Sequence, residues 1–146
     1  MRAPEDTITV LTVTAAADEA VFFDSLAGRT RWKMDRARTA SEAGAFIAGN
    51  DVAVILCAAE LPDGTWKDVL ASVTENRRRA RVVVLAGRAD DHIWSDVLDS
   101  GGYDVLAKPL EASEAVRVIS LAWRQWRDSR ERAGGAGTGA DLGTTK

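Results

Sequence analysis

Four stretches of the chain are apolar without a clean polar alternation: Ile8 to Val13, Val52 to Ala58, Val82 to Ala86, and Val105 to Ala107 with Tyr103 leading in. Strands of that kind suit a parallel sheet covered by helices on both faces, where neither side of the strand meets water. A fifth run, Arg31 to Ala37, does alternate, with Trp32 and Met34 against Lys33 and Asp35. That pattern suits an edge strand.

Between these runs the apolar positions change to a helical period. The first such segment, from Asp18, carries Val21, Phe22 and Leu26. The second opens on Thr39-Ala40-Ser41-Glu42, a capping-box pattern, and carries Ala43, Phe46 and Ile47. A third, from about Thr65 to Asn76, carries Trp66, Val69, Leu70 and Val73; the fourth, from about Asp90, carries Ile93, Trp94, Val97 and Leu98 before Gly101-Gly102 stops it. The fifth follows Pro109, sets Ala112, Ala115, Val116, Ile119, Trp123 and Trp126 on one stripe, and reaches at least Asp128. Drawn from Glu111 to Arg130 it would be about 30 Å long, more than an ordinary strand can cover, so its last turns should overhang the sheet.

Strand and helix thus alternate five times, which predicts an α/β fold, a doubly wound five-stranded parallel sheet with helices on both faces. The flavodoxin-like strand order 2-1-3-4-5 puts the alternating second run at an edge and brings the carboxyl ends of strands 1, 3 and 5 together. At 146 residues and 46% hydrophobic composition the chain holds one core of ordinary size. We read residues 1–6 as an N-terminal extension, 7–130 as the domain, and 131–146, which contain Gly134-Gly135-Ala136-Gly137, as a flexible Gly-rich tail.

Charge and chemistry narrow the function classes. Nineteen basic against 22 acidic residues give a net charge of −3, a mixed balance that points away from nucleic acid and membrane. Cys57 is the only cysteine and lies in an apolar run, so it reads as a small buried hydrophobe in a reducing compartment. No signal-peptide pattern or transmembrane stretch is visible, and the expected location is the cytoplasm. His92 is the only histidine, which leaves no metal cluster or catalytic triad to build around it. Arg77-Arg78-Arg79 with Arg81 is the one compact basic run; a helix C-terminus and solvation account for it.

In an open sheet of this order, ligands bind beyond the carboxyl ends of the strands. Those ends are Thr14-Ala15-Ala16, Ala58-Ala59, Ala86-Gly87 and Lys108. Leu61-Pro62-Asp63-Gly64 shortly after strand 3, with Lys108-Pro109 after strand 5, resembles the response-regulator receiver family over residues 7 to about 128. The stretch from Ala40 to Trp66 follows that family's pattern almost position for position.

The resemblance implies an active site that this chain has lost. The phosphate-accepting Asp, four residues before the Pro of the loop, falls on Ala58; the acidic pair that holds magnesium falls on Thr14 and Ala15; the hydroxyl residue ending strand 4 is Ala86; the aromatic switch on strand 5 is Val105. Lys108 alone keeps its identity, and the peptide before Pro109 is expected to be cis. Because phosphoryl transfer depends on positioning and on cationic charge, losing nucleophile, metal ligands and hydroxyl together removes nearly every contribution. Other carboxylates near the mouth are Asp18, a helix N-terminal residue, and Glu60 and Asp63, turn residues.

The expected function is therefore a stand-alone, degenerate receiver in two-component-type signalling, not an enzyme, needing no cofactor or metal and independent of phosphorylation. No output domain is expected after it, since the Gly-rich tail supplies no recognition helix. Its partner would be a protein, a histidine kinase or other signalling protein, or a second copy. The resemblance implies contact through helix 4, strand 5 and helix 5, where Trp94, Val105, Trp123 and Trp126 are the candidate interface residues. Two rivals stand beside it: phosphate acceptance by Asp63 or Glu60, and sensing of a neutral small ligand in the alanine-lined pocket.

Overall fold

The computed structural model describes residues 8–87 and 91–135, with backbone alone at 91 and 131–135. The N-terminal extension at 1–6 and tail residues 136–146 lie outside the described residues. Five strands form one parallel sheet: β1 (Thr9–Val13), β2 (Lys33–Ala37), β3 (Val54–Ala58), β4 (Arg81–Ala86) and β5 (Asp104–Ala107), in the order β2-β1-β3-β4-β5. Helices α1 (Ala17–Gly28), α2 (Ala40–Gly49), α3 (Trp66–Glu75), α4 (Asp91–Asp99) and α5 (Ala112–Gly135) connect and extend them. This is the α/β architecture and strand order that the apolar pattern predicts, with the alternating run β2 at an edge. α5 continues to Gly135, past the boundary at 130 that the glycines suggest, since Glu131, Arg132 and Ala133 are residues that favour helix.

The two faces of the sheet explain why the strands do not alternate. Leu11, Val13, Ile55, Cys57, Val82 and Val84 face a layer built by α2, α3 and α4, with Ile47, Val69 and Val97 against them. Val10, Val54, Leu56, Val83 and Leu85 face the other layer, where Phe23 and Leu26 of α1 meet Val118, Ile119 and Trp126 of α5. Each central strand therefore needs apolar residues at consecutive positions.

α1 departs from the stripe expected of it. Val21 is 67% exposed, while Glu19, Phe23 and Leu26, spaced i, i+4, i+7, form the buried face. A two-stranded ladder between Glu60–Leu61 and Gly64–Thr65, which the sequence pattern does not announce, closes the loop after β3. Gly64 is needed there: a Cβ at this position would sit 2.2 Å from Asp68 Oδ2, the atom that accepts from Thr65 N in the capping box of α3.

Candidate functional site

The carboxyl ends of β1, β3, β4 and β5 form the rim where this fold binds ligands. β1 runs into Thr14, whose N–H donates to Ala37 O at 3.0 Å and whose hydroxyl accepts from Ala16 N at 3.0 Å, turning the chain into α1. The helix starts on Ala16, which offers no side-chain cap, so its first-turn N–H groups favour a nearby negative charge. Glu19 in that turn supplies it. The side chain is 2% exposed, and its carboxylate accepts a 2.6 Å hydrogen bond from Thr14 Oγ1 and forms an ion pair with Lys108 Nζ.

β5 delivers Lys108. Its N–H donates to Ala86 O at 2.9 Å, the Lys108–Pro109 peptide is cis as expected, and the side chain stays 39% exposed as it reaches back over the sheet. In the strand order, β1 and β5 are three spacings apart, about 14 Å. The Glu19–Lys108 pair therefore ties the start of α1 to the end of β5 across this rim, where the intervening strands end on Ala58 and Ala86, 9% and 4% exposed. Burial and, after it, the charge of Glu19 push the Cys57 thiol up to about 12, so Cys57 stays protonated and unreactive at neutral pH.

The other carboxylates are elsewhere. Asp18 is exposed on the outer side of α1, and Glu60 is exposed in the short ladder. Asp63 accepts from Ala40 N at 2.7 Å and Ser41 N at 3.0 Å, the first N–H groups of α2; these bonds hold its carboxyl below the ordinary aspartate value. Thr39 accepts from Glu42 N at 3.0 Å, while Glu42 reaches to Arg38 N at 2.7 Å, so α2 is capped from three sides. Asp63 is engaged as a cap.

No protein-family model matches the sequence, and no curated protein matches it. Among solved structures, the signal receiver domain of a LuxO repressor protein from Vibrio parahaemolyticus superposes with a TM-score of 0.79 at 19% identity, covering 85% of this chain and 95% of that one. The receiver domain of an HD-domain-containing protein from Pseudomonas fluorescens gives 0.78 at 22%, covering 86% and 93%. A beryllofluoride-activated NtrC4 receiver-domain dimer gives 0.74 at 22%, covering 81% and 98%. The chain has the receiver-domain fold.

At this rim the strands β1, β3 and β4 lead into or end on Thr14 with Ala15, Ala58 and Ala86, none of which carries a carboxylate. Magnesium requires several oxygen donors, and the buried carboxylate at this rim among the described residues, Glu19, is already paired with Lys108 and hydrogen-bonded by Thr14. Among the described residues no three His, Cys, Asp or Glu side chains gather as a metal-ligating group. The residues present do not fit the ion.

Of the candidate interface residues, Val105 at 4% and Trp126 at 7% exposure are buried by this chain's own core. Trp123 is half-buried against the same layer with the Arg127 guanidinium 4.9 Å over its ring. Trp94 is 39% exposed, and one turn on, Leu98 is 49% exposed. Glu19 itself is not among the residues singled out from the sequence. The signal that would have found it is its place on the stripe with Phe23 and Leu26, where a charged residue must have a buried partner.

Proposed function

We propose that this chain is a receiver-type signalling module that works by protein contact and without phosphorylation. One observation supports the reading: Lys108, the one active-site residue that the resemblance retains, is already paired with the Glu19 carboxylate, which Thr14 also holds, while the resemblance puts Ala58 where the phosphate acceptor would be. A glutamate on α1 thus gives Lys108 the anionic partner that an acceptor aspartate or its phosphoryl group would give in other receivers. The lysine is already engaged, so nothing in the site waits for a phosphoryl donor, and no catalytic step is assigned to the chain.

The same packing weakens the two rivals. Asp63 is committed to the first turn of α2. A neutral ligand at this rim would have to settle beside a charged pair, Glu19 and Lys108, instead of an apolar lining. Partner contact is assigned to the outer face of α4, where Trp94 and Leu98 stand exposed one turn apart, beside β5 and α5. A signalling protein or a second copy of the chain would pack there, in the cytoplasm. Among the described residues no helix is long and apolar enough to cross a membrane.

Titration of the native chain and of Ala58→Asp with magnesium and beryllofluoride, read by tryptophan fluorescence, tests the proposal. A flat response from the native chain is expected. Ala58→Asp should respond weakly or not at all, because the magnesium ligands are still missing and Glu19 still occupies Lys108. Saturable, magnesium-dependent change in the native chain would overturn it.

A further inference from the structure

At the opposite end of the sheet from Lys108, a second concentration of charge gathers. Arg77, Arg78 and Arg79, which follow α3, meet Arg130 from the far end of α5 around a cleft of about 230 Å³ that also takes in Asp51 and Trp126. Four guanidiniums against one carboxylate make this lining strongly positive in a chain whose net charge is −3. Arg130 lies over the Trp126 ring at 5.1 Å, which fixes its stem.

Helix dipoles do not account for all four. Arg78 serves α2: its Nε and Nη2 donate to Ile47 O and Ala48 O at 3.0 and 2.9 Å, and this pins the loop. The last carbonyls of α3 are satisfied by backbone, Arg77 N to Thr74 O at 3.0 Å and Arg78 N to Val73 O at 2.9 Å, a Schellman motif. The side chains of Arg77 and Arg79 are left over, without a hydrogen bond or ion pair among the described residues.

Arg77 is also where the backbone would prefer glycine. It closes α3 at φ 56°, while the same motif at the end of α4, with Gly102 N to Val97 O at 2.8 Å, uses Gly101 at φ 101°. The left-handed conformation is costly for a residue with a Cβ, and such exceptions collect at binding sites. Nothing in the packing of α3 asks for a side chain there; the cleft is what the side chain reaches.

We propose that this cleft binds the phosphoryl end of a small phosphorylated molecule. Guanidinium forks match phosphate oxygens two at a time, the loop carrying two of them is fixed in advance by Arg78, and the volume is below that of drug-sized pockets. A phosphate or diphosphate group fits that description better than a whole extended ligand. The site is separate from the rim of Lys108 and stands independently of the signalling reading.

Isothermal titration of the full chain with inorganic pyrophosphate, with ATP in the absence of metal, and with sulfate at matched ionic strength tests it. Saturable one-site binding of pyrophosphate is expected, weakened about ten-fold or more by Arg79→Ala, the scale of one lost charge-assisted contact. Arg77→Gly should weaken it similarly while leaving the fold at least as stable, which separates lost binding from lost structure. Asp51→Asn should tighten it. ATP binding at least as well as pyrophosphate would identify a nucleotide as the source of the phosphoryl group, and ATP binding less well a compact diphosphate. Absence of saturable heat, equal binding of sulfate, or indifference to both arginine substitutions would overturn the proposal.

Discussion

A carboxylate that is 2% exposed is tolerated because an ammonium and a hydroxyl meet it, so the Glu19 site is held in place by compensation. Removing one partner should cost far more than removing both. Lys108→Met leaves the charge buried with Thr14 alone and is expected to destabilise the fold by about 2–3 kcal/mol, below the range for fully enclosed pairs because Lys108 is part-exposed. The double variant Glu19→Met, Lys108→Met should recover most of that loss. Urea unfolding of the four proteins in the cycle checks it, and additive losses would mean that the pair is not coupled. Cys57 gives a second readout at the same site. Its native thiol holds its proton to about pH 12 while the unfolded thiol releases it near the ordinary value of 9.0. Between those values the unfolded state binds fewer protons, so this group's contribution lowers stability as pH rises. The fall in stability over that window should be shallower in Cys57→Ala than in the parent, and alkylation of the native thiol at neutral pH should track unfolding.

At the scale of elements, the sequence pattern carries most of the fold, because the main strands and the helices other than α1 show the period their environment demands. What it does not carry is instructive. The Glu60–Leu61 and Gly64–Thr65 ladder is too short to have a period, and α1 is misread because two adjacent phenylalanines, Phe22 and Phe23, allow two stripes and only packing chooses the one that includes Glu19. That Thr14, Ala15, Ala58 and Ala86 offer no carboxylate at the strand ends is legible in the sequence; that Glu19 of α1 is buried there against Lys108 is not, since it comes from a different element. The end of α3 offers a test of local preference. Arg77→Gly relieves a left-handed residue and is expected to raise stability by roughly 1 kcal/mol, visible as a higher urea midpoint at unchanged slope. A loss instead would show that the Arg77 side chain contributes to the fold more than its backbone angle costs.

For the whole molecule, the placement of the tryptophans separates what holds the domain together from what is free to meet a partner. Trp126 closes the layer between α1, α5 and the sheet, and truncating it should cost about 3–5 kcal/mol, the range for large buried aromatics. Trp94 and Leu98 lie on the outer side of α4, whose inner side, Ile93 and Val97, already fills the core, so the exposed pair adds little to folding. Replacing both by alanine should change stability by less than about 0.5 kcal/mol. An interface built on them would nonetheless be lost, because an exposed tryptophan backed by a second apolar residue is the kind of anchor on which association energy concentrates. Light scattering of the parent and of the Trp94→Ala, Leu98→Ala variant distinguishes the possibilities. A dimer reduced to monomer with the fold intact identifies a second copy as the occupant of this face. A parent that is monomeric from the start removes self-association and leaves a different signalling protein, whose binding the same double variant should weaken at least ten-fold. If association survives the double variant unchanged, contact is made elsewhere, and the assignment of the α4 face is wrong even though the Glu19–Lys108 site is unaffected.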